Sequence, residues 1–172
     1  AQVEQALCIC TTLEEFDQVL GLACTYPNLW ATVGVHPDNE GVREPDVAEL
    51  CRLAAHPRVL AIGETGLDYY RLNGRSVDDM AWQRERFRTH IRAARQTGKP
   101  LVIHTRDSAA DTLGLLTEEG GQGVTGVFHC FTESQAVAKA ALDQGFYISF
   151  SGILSFKNAQ TLRDVARWVP LD

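Results

Sequence analysis

The chain has 172 residues, 45% of them hydrophobic, which is enough to bury one substantial core. Its formal net charge of -6 excludes a protein that grips nucleic acid by broad phosphate neutralisation, although a nuclease whose positive charge comes from bound metal stays open. No run approaches the length of a membrane span, and no signal-peptide pattern opens the chain.

Ala6-Leu7-Cys8-Ile9-Cys10 reads as a short strand. Thr12 with Glu15 three residues on makes a capping box, and Leu13, Phe16, Leu20 and Ala23 follow at helical spacing. Trp30 to Val35 is the next strand, ending at His36-Pro37, and a helix around Val47 to Ala55 leads into Val59-Leu60-Ala61-Ile62. That apolar run has no alternation, as expected of a parallel strand covered on both faces, and it breaks at Gly63 and Gly66 on either side of Glu64. A carboxylate at the mouth of a buried strand is expensive to leave unpaired, so either a basic side chain or a metal ion must compensate it.

Tyr70 to Val77, with Asn73-Gly74, is a loop. The longest helix spans about Asp79 to Gln96, with Met80, Phe87, Ile91 and Ala94 on one stripe and Gly98 as its stop. Pro100 to Ile103 is a strand ending at His104, and a helix from Ser108 to about Glu119 precedes the glycine-rich turn 120–123. Val124 to Phe128 is a strand ending at His129, Ser134 caps the next helix, Phe146 to Phe150 is a strand, and Thr161 to Trp168 is helical. The cysteines Cys8, Cys10, Cys24, Cys51 and Cys130 are odd in number and show no Cys-x-x-Cys, so a reduced, cytoplasmic protein with thiols in its core is expected.

Six strands, each followed by a helix, imply parallel strands with right-handed crossovers in one domain. Two architectures fit: an open doubly wound sheet, or part of a (βα)8 barrel. The first weakens because Cys10-Thr11-Thr12-Leu13 has no glycine-rich phosphate loop. The second gains because His36, Glu64, His104, His129 and Ser151 each fall at or just past a strand end, where a barrel gathers its working residues.

Val33-Gly34-Val35-His36-Pro37, Ile62-Gly63-Glu64-Thr65-Gly66-Leu67-Asp68-Tyr69, Lys99-Pro100-Leu101-Val102-Ile103-His104-Thr105-Arg106-Asp107 and Val127-Phe128-His129-Cys130-Phe131-Thr132 resemble motifs of the TatD family. Gly145 to Ile153, followed by Phe156-Lys157-Asn158-Ala159, continues the match, so the resemblance covers essentially the whole chain. It implies a TIM-type barrel of the amidohydrolase-like, metal-dependent hydrolases, with residues 1–172 as one domain holding about six βα units. The family opens with a strand ending in His-x-His and closes its site with an Asp after the last strand, and neither is present. A full barrel needs about 250 residues, so the chain reads as the second to seventh units of a longer one, the alternative being a natural truncation with exposed sheet edges, and it is expected to turn over poorly by itself.

The activity implied is divalent-metal-dependent hydrolysis, above all as a deoxyribonuclease that cleaves phosphodiester bonds with metal-activated water. Alternatives are the same metal pair acting on a non-nucleic-acid ester or amide, and a catalytically dead fragment or binding protein. By the resemblance, Glu64 is shared between two divalent ions (Mg, Mn or Zn), with His104 and His129 each a ligand. Carboxylate and imidazole without thiolate suit such open sites. His36 is better placed for substrate contact, or for support behind the ligands, than for a direct metal bond. Asp68 either orients a ligand or stays solvated in the loop. Arg106 either meets a substrate phosphate bidentately or pairs with Asp107 or Glu64. Ser151 and Lys157 are weaker candidates for phosphate. His56 and His90 read as structural or solvated, and Trp30, Trp82 and Trp168 as packing residues. The expected partner is DNA or another phosphodiester substrate, bound transiently, with no membrane and no obligate protein partner.

Overall fold

The computed structural model describes residues 3–171 apart from Gln122. Its sheet is parallel throughout and follows chain order: β1 (Ala6–Cys8), β2 (Leu29–Val33), β3 (Val59–Asp68), β4 (Leu101–Arg106), β5 (Gly126–Phe128) and β6 (Phe146–Ile148). The connecting helices are α1 (Phe16–Thr25), α2 (Val47–Ala54), α3 (Ala81–Thr97), α4 (Ala109–Gly120) and α5 (Gln135–Asp143), with α6 (Gln160–Trp168) after β6. A parallel sheet whose order never reverses, with a helix after every strand, is the wall of a (βα)8-type barrel rather than a doubly wound sheet.

Helix boundaries follow from local chemistry. Asp46 accepts from the Glu49 amide to start α2, Ser134 accepts from Val137 to start α5, and Gly98 ends α3 in a left-handed conformation. Thr12 does accept from the Glu15 amide, but the Glu15 carboxylate turns to the Thr11 hydroxyl, and α1 begins only at Phe16. The core runs from Phe16, Val33 and Leu50 through Ile62, Phe87 and Ile91 to Leu101, Ile103 and Phe128.

Two strands are longer than their apolar runs. β3 continues past Ile62 to Asp68 and β4 past Ile103 to Arg106, because Thr65–Asp68 pair in register with Ile103–Arg106. Glu64 and His104 therefore lie inside strands, not beyond their ends. The pairing is irregular between Ile62 and Thr65, which sets Glu64 at a bulge. Gly66 is obligatory there: its φ is +123°, and a Cβ would sit 2.0 Å from the His104 carbonyl oxygen.

All five cysteines are free, but only Cys10 is fully buried; Cys24 and Cys130 are exposed, which corrects the expectation of thiols confined to the core. Trp30 and Trp82 pack under Arg58 and Arg86, whereas Trp168 is exposed at the end of α6. His56 closes the turn into β3 by accepting from the Arg58 amide at 3.1 Å. No helix among the described residues is long and apolar enough to cross a membrane.

Candidate metal centre

The main chain is fixed before any side chain acts. Beyond β1, the chain passes over the neighbouring strand ends: the Cys10 amide donates to Thr32 Oγ1 at 2.9 Å, and the Cys10 carbonyl accepts from the Glu64 amide at 2.9 Å. The next carbonyl, Thr11, accepts from the His36 amide and from the Asn39 side chain, both at 2.9 Å. From the other side, α3 contributes a buried polar row. Gln83 accepts from the Asp68 amide at 2.9 Å, Arg86 donates to the His36 carbonyl at 2.8 Å, and His90 Nε2 accepts from the Val35 amide at 3.0 Å. Spacings of three and four residues put all three on one face of the helix.

Those anchors bring three donor atoms together: His36 just past the end of β2, Glu64 within β3 and His104 within β4. His36 Nε2 lies 3.3 Å from His104 Nδ1 and 3.7 Å from Glu64 Oε1, and His104 Nδ1 lies 3.4 Å from the same oxygen. Behind His104, Asp68 Oδ2 sits 2.8 Å from Nε2, while Asp68 Oδ1 accepts from the Tyr70 amide at 2.9 Å. Asp68 is only 5% exposed, so of its two readings the geometry carries the orienting one. A carboxylate on the far nitrogen of an imidazole fixes the ring's tautomer and raises the basicity of the nitrogen that faces the site.

The charges respond accordingly. Burial opposes a charged His104, but hydrogen bonds to Asp68 and Glu64 outweigh it and raise its pKa to about 9. Burial and the neighbouring His104 charge lower His36, despite Glu64 and Asp68 nearby. Burial alone would raise Glu64; the His104 hydrogen bond and the charges of His36, His104 and His129 bring it below the usual carboxylate value. A charged ring wedged between two carboxylates marks a place where positive charge is stabilised, and the same oxygen and nitrogens suit a divalent cation.

His36, expected to stand back from direct bonding, is thus brought into the closest group with Glu64 and His104. His129 follows β5, half-buried, and its Nε2 lies 3.2 Å from the Cys130 thiol rather than in that triangle. Arg106 pairs with neither Asp107 nor Glu64 among the described residues; its guanidinium lies 3.5 Å from the centre of the Tyr70 ring. Ser151 is half-buried and Lys157 exposed. The sequence reading missed the polar row of α3, because Gln83 and Arg86 look like the solvated face of an amphipathic helix. It also missed Tyr70, assigned simply to a loop, although an aromatic residue beside the Asp68 carboxylate was the available signal.

The family described as TatD related DNase matches residues 1–172. An uncharacterized metal-dependent hydrolase, YcfH of Escherichia coli K12, is 47% identical over 99% of this chain and 62% of its own length. A protein of Cronobacter turicensis named 3'-5' ssDNA/RNA exonuclease TatD is 33% identical over 100% of this chain and 65% of its own. The crystal structure of YJJV, a TatD homologue from Escherichia coli, superposes with a TM-score of 0.86 at 25% identity, covering 98% of this chain and 64% of that one. The chain thus spans a little under two thirds of the length of the curated relatives it matches.

Proposed function

The chain belongs to the TatD related DNase family of metal-dependent hydrolases, and from that premise we propose that it supplies the central part of a divalent-metal site for hydrolysing phosphodiester bonds in nucleic acid. The observation that carries this reading is the triangle of His36 Nε2, Glu64 Oε1 and His104 Nδ1, with sides of 3.3 to 3.7 Å.

Glu64, His104 and His36 would hold one ion, and Glu64 with His129 a second; Mg, Mn or Zn suits these donors. Such ions supply Lewis-acid chemistry when bound, polarising a phosphoryl oxygen and lowering the pKa of water. The chain's own residues do the rest. Asp68 keeps the proton of His104 on Nε2, leaving Nδ1 as the donor atom toward the site. The carbonyls of Cys10 and Thr11 hold Glu64 and His36 in place, so little reorganisation is needed when charge arrives. Arg106, exposed at the end of β4, is available to a substrate phosphate. The action takes place in the cytoplasm on transiently bound DNA.

The test is elemental analysis of the protein beside Glu64→Ala, followed by cleavage assays on single- and double-stranded DNA with ester and amide substrates in parallel. Bound divalent metal that disappears with Glu64→Ala is expected, with metal-dependent release of nucleotides that is slow because the chain spans under two thirds of its relatives' length. Absence of metal in both proteins after dialysis against Mn or Zn would sink the site, and turnover of esters or amides alone would sink the substrate.

A further inference from the structure

We propose that the exposed ring of Tyr70, backed by the Arg106 guanidinium, is a base-stacking subsite that seats one nucleotide of a single-stranded polynucleotide beside the metal triangle. The inference rests on the phosphodiesterase reading above and adds to it the pair of residues that would hold a base.

Tyr70 follows β3 and is 54% exposed, so part of its ring is open to solvent. One face of the ring is covered by the guanidinium at 3.5 Å, a separation at which the flat cation stacks on the π system. Arg106 is itself exposed, and among the described residues its side chain makes neither an ion pair nor a hydrogen bond. Its planar fork therefore stays free for a phosphate while its face supports the ring. This is an aromatic platform with a cation attached, the pair of features by which proteins hold unpaired bases without reading their sequence.

The platform is tied to the site at both residues. The Tyr70 amide donates to Asp68 Oδ1 at 2.9 Å, and the other oxygen of that carboxylate holds His104 Nε2 at 2.8 Å. The Arg106 carbonyl accepts from the Tyr69 amide at 2.9 Å, closing the β3–β4 ladder directly under the pair. Tyr69 in turn is held by Asp111 at 2.7 Å, so the base of the platform is anchored to α4. A base stacked on Tyr70 would thus be positioned through a single carboxylate relative to the imidazole that faces the reacting phosphate. Bases in a duplex keep their faces against one another, so only an unpaired nucleotide can use this ring.

The experiment is fluorescence anisotropy with a labelled short oligothymidylate in EDTA, which removes cleavage from the readout. The same oligomer built from abasic residues and a duplex of equal length serve as comparisons. Tyr70→Ala is expected to weaken binding of the oligothymidylate roughly tenfold to a hundredfold while leaving the abasic strand unchanged, and Tyr70→Phe should restore it. Arg106→Ala should weaken both strands, because it removes the phosphate contact as well as the support. Unchanged oligothymidylate binding in Tyr70→Ala, or equal loss on the abasic strand, would overturn the subsite. If the unmutated protein binds no strand and cleaves none with metal restored, the phosphodiesterase reading fails instead, and the two failures are told apart.

Discussion

On the β2–β4 side of the site, the backbone is held by buried partners and the His104 ring by Asp68, whereas on the β5 side His129 follows a three-residue strand and leans on an exposed thiol. Two long strands and the polar row of α3 hold the first side: Gln83, Arg86 and His90 fix the backbone of Asp68, His36 and Val35. On the second side the main chain is also bonded, since the His129 amide donates to the Ile103 carbonyl at 2.8 Å, but among the described residues no carboxylate fixes the ring. One side is held by several buried hydrogen bonds and the other places its imidazole against a single exposed thiol. That difference teaches where metal affinity should reside.

The largest effect expected from this asymmetry is in divalent-metal affinity measured by isothermal titration. His104→Ala removes a proposed ligand and the partner of two carboxylates together, and should weaken binding by more than roughly a hundredfold, beyond what loss of an outer hydrogen bond costs. His129→Ala should cost only about tenfold in the same experiment, since among the described residues its ring stands outside the triangle of His36, Glu64 and His104. Equal losses in the two variants would show the two sides to be energetically alike.

The fold was readable in the sequence because apolar runs and turn residues repeat with every unit, and Glu64, His104 and His129 stood out as polar residues interrupting apolar strands. What failed was the extent of β3 and β4. Thr65, Thr105 and Asp68 are polar, yet they sit buried in a ladder whose backbone pairing does not depend on side-chain hydrophobicity. The position of His36 beside Glu64 was obscured for a different reason. Its approach to Glu64 depends on Gly34, where a Cβ would lie 2.6 Å from the Gly63 backbone, and close passage of two strands leaves no trace in periodicity. His90, read as structural or solvated, is structural, but Gln83 and Arg86 were hidden because helical spacing shows that residues share a face without showing what that face meets.

His90 allows the rigid side to be tested without touching the metal triangle. Its Nδ1 lies 2.8 Å from the Arg86 carbonyl and Nε2 accepts from Val35, so the neutral ring is fully satisfied and a second proton would face an amide hydrogen. Burial pushes its pKa down to about 4. The unfolded chain binds this proton at about pH 6.5, so His90 contributes its full stabilisation above that pH and loses it as pH falls toward 4. The difference amounts to about 3 kcal/mol. Urea denaturation of the metal-free protein between those limits should show this slope, and His90→Leu should flatten it at the cost of an unpaired Val35 amide. A slope that survives the substitution would place the titration elsewhere.

The smallest effect expected separates orientation from charge within the rigid side. Asp68→Asn keeps the volume and one acceptor oxygen, but it offers an NH2 group to one of the two donors that Asp68 now satisfies. With the negative charge gone, His104 keeps only Glu64 against the cost of burial, and its pKa must fall from about 9. The nitrogen facing the site becomes a weaker donor, and metal affinity should drop about tenfold, the lower end of what loss of such a partner costs. NMR titration of His104 in the metal-free variant, beside metal titration of the same sample, reads both quantities. A His104 pKa that stays near 9 would mean that Glu64 alone holds the charged ring, and the β2–β4 side would then owe its affinity to position rather than to the carboxylate behind it.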